Sequence, residues 1–158
     1  MNDAATATKN LHRQCVTFRL DAELYGIDVM QVQEVLRVTE VAPVPGAPSY
    51  VIGIINLRGN VVTIIDTRQC FGLPSREIDD STRIVIIEAE KQTIGIVVDS
   101  VSEVVDVKPD DVETAPSVGN DDTARYIEGV VSRDKELLIL VELNRLLTDD
   151  EWSDMSGF

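Results

Sequence analysis

The stretch Tyr25-Gly26-Ile27-Asp28-Val29-Met30-Gln31-Val32-Gln33-Glu34-Val35-Leu36-Arg37-Val38 occurs a second time in this chain, in altered form, at Ile94 to Val107. Superposed, the two keep Gly26 on Gly95, Ile27 on Ile96, Val29 on Val98, Val32 on Val101, Glu34 on Glu103, Val35 on Val104 and Val38 on Val107. Seven of the fourteen positions are identical at one constant offset of 69 residues. Further along, with the offset lengthened by seven, Tyr50 falls on Tyr126, Gly53 on Gly129, Ile54-Ile55 on Val130-Val131, and Val61 to Asp66 on Leu137 to Glu142. One register of glycine, acid and aliphatic positions held over such lengths marks two homologous lobes, about 15–71 and 83–147. Two copies are too few for a solenoid, so a pseudo-twofold pair within one chain is expected, with exchange of strands between lobes allowed.

Each lobe carries strand signals. Val16, Phe18 and Leu20 alternate with Cys15, Thr17 and Arg19, the period of a half-buried strand. Val61-Val62-Thr63-Ile64-Ile65 and Ile84-Val85-Ile86-Ile87 are β-branched runs too short for buried helices and bounded by turn residues. Strands are predicted at 15–20, 24–29, 35–41, 52–57 and 61–67, and again at 83–88, 93–98, 103–108, 127–133 and 137–143. Five short strands cannot make a large sandwich, but they close into a small barrel that hides its edges. The predicted fold class is all-β: two homologous five-stranded barrels packed with pseudo-twofold symmetry and joined by short helical connections. Asp28-x-x-Gln31 and Ser100-x-x-Glu103 have capping-box spacing after the second strand of each lobe. Pro48 is placed to open a turn of helix that Gly53 ends. The domain is expected over 13–148, with 1–12 and 149–158 as flexible tails, although Thr148-x-x-Glu151 is spaced to cap a short helix.

The chain has 158 residues, 44% apolar and 27% charged, an ordinary globular composition. Its 14 basic and 28 acidic residues leave a net charge of −14. Such a chain is repelled by phosphate backbones and anionic lipid, which turns the expectation from nucleic acid and membrane toward protein partners. Cys15 and Cys70 make no framework of bridges, and no secretory signal precedes them, so reduced thiols in a cytoplasmic protein are expected. The apolar runs Val51-Ile55 and Leu137-Val141 are strand-length, far short of a membrane span.

The inventory for catalysis is thin. The single histidine, His12, lies in the expected tail, so no Ser-His-Asp or Cys-His arrangement forms without it. Zinc-type ligand spacing and Gly-rich phosphate loops are absent. The acidic pairs Asp79-Asp80, Asp110-Asp111, Asp121-Asp122 and Asp149-Asp150 fall at expected turns and helix starts, where Asp accepts backbone N–H bonds. No catalytic, cofactor or metal residue is assigned, and the chain is not expected to be an enzyme. A binding surface remains. Arg58-Gly59 sits between two aliphatic strands and reads as a hairpin tip with Gly59 at φ > 0. Its counterparts in the second lobe are Asp134 and Lys135, so the copies share a core and diverge at this turn.

These residues closely resemble the CheW chemotaxis coupling protein family. The likeness is carried by Tyr25-Gly26-Ile27-Asp28 with Val32-Gln33-Glu34-Val35, by Gly53-Ile54-Ile55-Asn56-Leu57-Arg58-Gly59, and by Ile64-Ile65-Asp66-Thr67-Arg68. Ile94-Gly95-Ile96-Val97-Val98-Asp99 with Val101-Ser102-Glu103-Val104 continues it, and it runs from about residue 13 to 148. Thr63 departs from a common proline and Thr67 from a usual leucine, both at positions predicted as strand.

The resemblance implies SH3-like barrels and a non-catalytic adaptor for chemotaxis signal transduction. Such an adaptor, or scaffold, couples methyl-accepting chemoreceptors to the histidine kinase CheA. Its implied partners are the CheA regulatory domain and the cytoplasmic tip of chemoreceptors. It would lie in the cytoplasm and be recruited to membrane receptor arrays through protein contacts. The implied partner-binding residues are Val32, Glu34, Gly53, Asn56, Leu57, Arg58 and Gly59, with Val101 and Val104 as lesser candidates. Glu34 and Arg58 are expected to pair across lobe one. A CheW-like scaffold of a different chemosensory pathway, serving surface motility or second-messenger control, fits the same residues and stays open as the alternative.

Overall fold

The computed structural model describes residues 13–38, 40–113 and 125–155. Strands β1 (Arg13–Leu20), β2 (Glu23–Asp28), β3 (Val32–Arg37), β4 (Val51–Leu57) and β5 (Asn60–Asp66) precede a one-turn helix α1 (Thr67–Cys70). Strands β6 (Arg83–Ala89), β7 (Gln92–Val98), β8 (Ser100–Val107), β9 (Ile127–Arg133) and β10 (Glu136–Val141) follow, and helix α2 (Asp149–Met155) ends the described chain. His12 and the pair Asp121-Asp122 lie outside the described residues.

The strands form two five-stranded sheets, ordered β8-β1-β2-β10-β9 and β3-β6-β7-β5-β4. Each is the other's image under the sequence repeat, with β3 matching β8, β6 matching β1, β7 matching β2, β5 matching β10 and β4 matching β9. The structural units are therefore not the contiguous lobes 15–71 and 83–147. Each sheet takes a hairpin from one repeat and three strands from the other, joined by the parallel pairs β10–β2 and β5–β7. Among the described residues the strand sequence passes from one sheet to the other at two points, a 3₁₀ turn at Val29–Gln31 and the single residue Asp99.

Closure into barrels comes from isolated bridges beyond the ends of edge strands. Ala42, past the end of β3, pairs with Ile54 of β4, and Glu113, past β8, pairs with Val130 of β9. Each bridge brings the two edges of a sheet together, which removes the exposed edge. Glycine permits the approach. A Cβ on Gly53 would run into the Ala42 carbonyl and lie 2.8 Å from Val41 Cγ1, and one on Gly129 would lie 2.9 Å from the Glu113 carbonyl oxygen. Gly53 therefore does not end a helix. Pro48 to Val51 is a single turn closed by Val51 N–H to Pro48 O at 3.0 Å, and Gly53 is inside β4.

Packing explains the continuous aliphatic runs. Val85 and Ile87 of β6 enter a central core shared by both barrels, together with Phe18, Leu20, Tyr25 and Ile27 of the other sheet. Ile84 and Ile86, on the opposite face of β6, fill the interior of their own barrel with Ile55, Val62 and Ile64. Strands buried on both faces lose period-2 alternation. Each fully buried isoleucine contributes about 1.5–3 kcal/mol relative to exposure. Phe71, just after α1, stacks on Tyr126 with ring centroids 4.2 Å apart and tilts on Tyr25 at 5.1 Å.

Several sequence expectations need correction. The third strand runs 32–37, earlier than 35–41. Ser100 begins β8 rather than capping a helix, while Asp28 does cap its turn by accepting the Met30 N–H at 2.9 Å. Thr67 is the first residue of α1 rather than part of a strand, since Asp66 caps the helix through the Gln69 N–H. Residues 149–155 are not a tail. Thr148 and Glu151 form a reciprocal capping box, with bonds of 2.8 and 3.2 Å, and α2 buries Trp152 and Met155 in the central core. Residues 156–158 lie outside the described residues.

Candidate functional site

The surface candidates of lobe one converge because barrel closure sets β3 beside the β4–β5 hairpin. Arg58 Nη2 donates to both carboxylate oxygens of Glu34, 24 residues earlier in the chain. This bond raises the guanidinium's already high pKa. Glu34 is mostly covered, with its side chain 23% exposed, whereas Arg58 is 71% exposed and reaches over it. The conformation of the hairpin tip has a local basis. Arg58 (φ +52°) and Gly59 (φ +89°) are both left-handed, as a type I′ turn requires, and the Gly59 N–H donates to Asn56 Oδ1 at 2.9 Å. The same turn type recurs at Asp134-Lys135 without any glycine, at φ +42° and +70°.

Of the other candidates, Asn56 and Gly59 are exposed and Leu57 half-buried against its barrel interior. Val32 and its repeat partner Val101 are half-buried and pack on the central core. Val104 is exposed, as is its partner Val35. Gly53 is buried, and its Cβ position is filled by backbone, so its geometry answers to barrel closure.

Residues that sequence reasoning passed over complete the surface. Val61, second residue of the aliphatic strand β5, is 66% exposed, and its repeat partner Leu137, second in β10, is 51% exposed. Val61 lines two adjoining clefts. One, about 570 Å³, is formed with Val41, Ala42, Pro43, Ile54 and Asn56. The other, about 240 Å³, is formed with Gln33, Leu57, Arg58 and Thr93. The available signal was the repeat itself, because Val61 and Leu137 stand second in matched strands at the same distance from matched turns.

The second barrel lacks the ion pair. Glu103 and Asp134 occupy the positions of Glu34 and Arg58, and two acids cannot pair. Thr17 is buried where β1 shifts register against β8, and its hydroxyl there donates to Glu103 O at 2.6 Å and accepts the Glu103 N–H at 3.1 Å.

Among the described residues the shifted groups move away from neutrality: burial pushes the Cys70 thiol and the Tyr25 and Tyr50 phenols up to about 12, and hydrogen bonds lower the Asp79 and Glu136 carboxyls. Among the described residues no three His, Cys, Asp or Glu side chains gather as metal ligands, and no helix is long and apolar enough to cross a membrane.

A double barrel whose distinctive surface is an ion-paired hairpin between a largely apolar cleft and a mixed one is a protein-binding module. Residues 14–151 match the CheW-like domain, and the chain belongs to the CheW family. It is 37% identical over 148 residues to the chemotaxis protein CheW of Treponema pallidum, spanning 91% of this chain and 87% of that one. It is 34% identical over 142 residues to the chemotaxis protein CheW of Bacillus subtilis, spanning 90% and 91%. The crystal structure of the scaffolding protein TtCheW from Thermoanaerobacter tengcongensis superposes with a TM-score of 0.81 at 33% identity, covering 89% of this chain and 96% of that one. The protein is a chemotaxis signalling adaptor and not an enzyme.

Proposed function

We propose that this chain joins the cytoplasmic tips of methyl-accepting chemoreceptors to the regulatory domain of the histidine kinase CheA, in the cytoplasm at membrane receptor arrays. Val32, Glu34, Asn56, Leu57, Arg58 and Gly59 form the principal contact surface, Gly53 shapes it from beneath, and Val101 and Val104 belong to a second surface on the other barrel. The observation that carries this reading is the Glu34–Arg58 pair, which ties β3 to the hairpin tip beside the Val61 clefts. Receptor tips are helical hairpins, and an apolar groove with charges at its rim suits a helix face. Each single interface is modest, and avidity within the array supplies the rest.

The test is a pull-down of the purified protein against a CheA regulatory domain and, separately, a receptor-tip fragment, with Arg58→Glu beside wild type. Circular dichroism and a melting curve establish that the variant folds. Wild type is expected to bind both, and Arg58→Glu, which sets two carboxylates against each other, to lose one. Failure of folded wild type to bind either partner from its own genome would overturn the reading. A double-mutant cycle of Glu34→Ala and Arg58→Ala on binding is expected to show coupling.

A further inference from the structure

Four charged residues outside the surface just described converge where the barrels meet. Arg68 of α1, on the β3–β7 barrel, is buried, with its side chain 9% exposed. Its Nη2 donates to Asp21 Oδ1 at 2.8 Å, in the β1–β2 turn of the other barrel. Its Nη1 donates to Asp99 Oδ2 at 2.7 Å, and Asp99 is the single residue through which the chain returns to that barrel. Its Nε donates to Pro74 O at 2.7 Å. Asp99 is tied further: its N–H donates to Arg19 O at 3.0 Å, and its Oδ2 accepts the Asp21 N–H and Arg76 Nη1, both at 2.7 Å. One guanidinium thus spans both barrels and their connection.

The fold does not require these charges, because the repeat builds the same seam twice. Continuing the two offsets, Asp21 corresponds to Glu90, Arg68 to Asn144 and Asp99 to Met30. There the bonds are neutral: the Glu90 N–H donates to Asn144 Oδ1, in a 3₁₀ turn at Leu143–Arg145, at 2.8 Å, and Gln31 Nε2 of the matching crossing donates to Glu88 O at 3.1 Å. Met30, at the matching crossing, is 86% exposed. The shared core holds both seams together, but apolar burial is itself non-directional and selects an orientation only through close packing. A buried fork bound to two carboxylates and a carbonyl accepts one geometry. Buried ion pairs add little net stability over apolar packing, and their attested use is to specify arrangement.

We propose that Arg68, with Asp21, Asp99 and Arg76, is an orientation clasp that fixes the angle between the two barrels. It thereby sets the geometry in which the adaptor presents partners bound to different barrels. Arg68 is a positioning residue and touches no partner itself. The last step, from angle to signalling, rests on the function proposed above.

The test uses the full chain with Val61→Cys and Leu137→Cys, one exposed position on each barrel, carrying spin labels. Cys15 is buried and Cys70 half-buried, and the chain without the two introduced cysteines, put through the same labelling, is the control for both. Double electron–electron resonance then reads the inter-barrel distance distribution in the parent, in Asp21→Asn and in Arg68→Lys. Asp21 lies at φ +56°, which asparagine tolerates, so the first variant keeps its turn and its fold while removing the carboxylate. The second keeps the charge but has no fork to span both barrels.

A narrow parent distribution that broadens in both variants, at unchanged circular dichroism and with the Asp21→Asn melting temperature within error of the parent, is the expected result. Distributions as narrow as the parent's in both variants overturn the proposal. In reconstituted receptor–kinase assemblies made with the natural residues at 61 and 137, Asp21→Asn and Arg68→Lys are expected to keep each binary affinity within error and to lose receptor-dependent kinase stimulation severalfold. Full stimulation despite a broadened distribution overturns the link from angle to signalling. Absence of wild-type binding to either partner overturns the proposed function and leaves the distance measurement to decide the clasp by itself.

Discussion

Replacing Gly53 by alanine separates a backbone role from a partner-contact role at the most ambiguous candidate position. The added methyl group would overlap the Ala42 carbonyl and crowd Val41 Cγ1, so the 41–42 segment must move off β4. That movement breaks the bridge closing the barrel, with its bonds from Ala42 N–H to Ile54 O at 2.9 Å and Ile54 N–H to Ala42 O at 2.8 Å. Two net backbone hydrogen bonds contribute about 1–3 kcal/mol together. Overpacking costs about 1–3 kcal/mol more. The expected loss is thus roughly 2–6 kcal/mol out of an ordinary total of about 5–15 kcal/mol. Urea denaturation followed by fluorescence of Trp152, the single tryptophan, measures it. Gly26→Ala is the internal control, because its nearest obstacles are side chains at 3.2 Å and beyond, which can shift. It should cost less than Gly53→Ala by the whole hydrogen-bond contribution. If Gly53→Ala denatures like wild type yet abolishes binding to the kinase domain, the residue touches the partner and the closure argument is wrong. Equal losses for the two variants would refute it as well.

The Thr67 hydroxyl is buried with no hydrogen-bond partner, so Thr67→Val is expected to stabilise by up to about 1–3 kcal/mol, the cost of leaving a buried polar group unsatisfied. A lowered melting temperature would contradict this. Trp152 buries its ring in the central core and donates Nε1–H to Asn144 O at 3.1 Å. Trp152→Ala should therefore cost about 3–5 kcal/mol, whereas a loose tail would lose nothing on calorimetric melting. Tyr25 and Tyr50 titrate near 12 in the folded protein against 10.0 as ordinary phenols. The folded state holds these protons more tightly, so the contribution is intact below pH 10 and vanishes as pH rises toward 12. Melting temperatures recorded across that window should fall, in step with phenolate absorbance.

The strands were legible because their determinants are local. The β-branched runs at Val61 to Ile65 and Ile84 to Ile87 are strands wherever they pack, and all ten predicted strands overlap the observed ones. The third is displaced because Asp28 caps a single 3₁₀ turn and releases the chain into β3 at Val32 rather than three residues later. The ion pair between Glu34 and Arg58 was legible through the family likeness, since 24 residues of intervening chain carry no local signal of the contact. Trp152 was misplaced because one amphipathic turn after a polar stretch looks like a frayed end until its ring meets the core. Val61 escaped notice because an exposed and a buried valine in one aliphatic run read alike.

By itself, the sequence determined the duplication, the ten strands and the Arg58-Gly59 hairpin tip, since each depends on residues close together or on a register repeated along the chain. Only the tertiary structure decided how the repeats share their strands. A β1–β2 hairpin offers the same hydrogen-bonding edge to either set of three strands, and the two choices differ only in long-range pairing and chain connection. That choice also set which charges meet. Arg68 reaches Asp21 and Asp99 because the first hairpin crosses into the barrel that β8 to β10 complete, leaving two barrels joined at one ionic seam and one neutral seam.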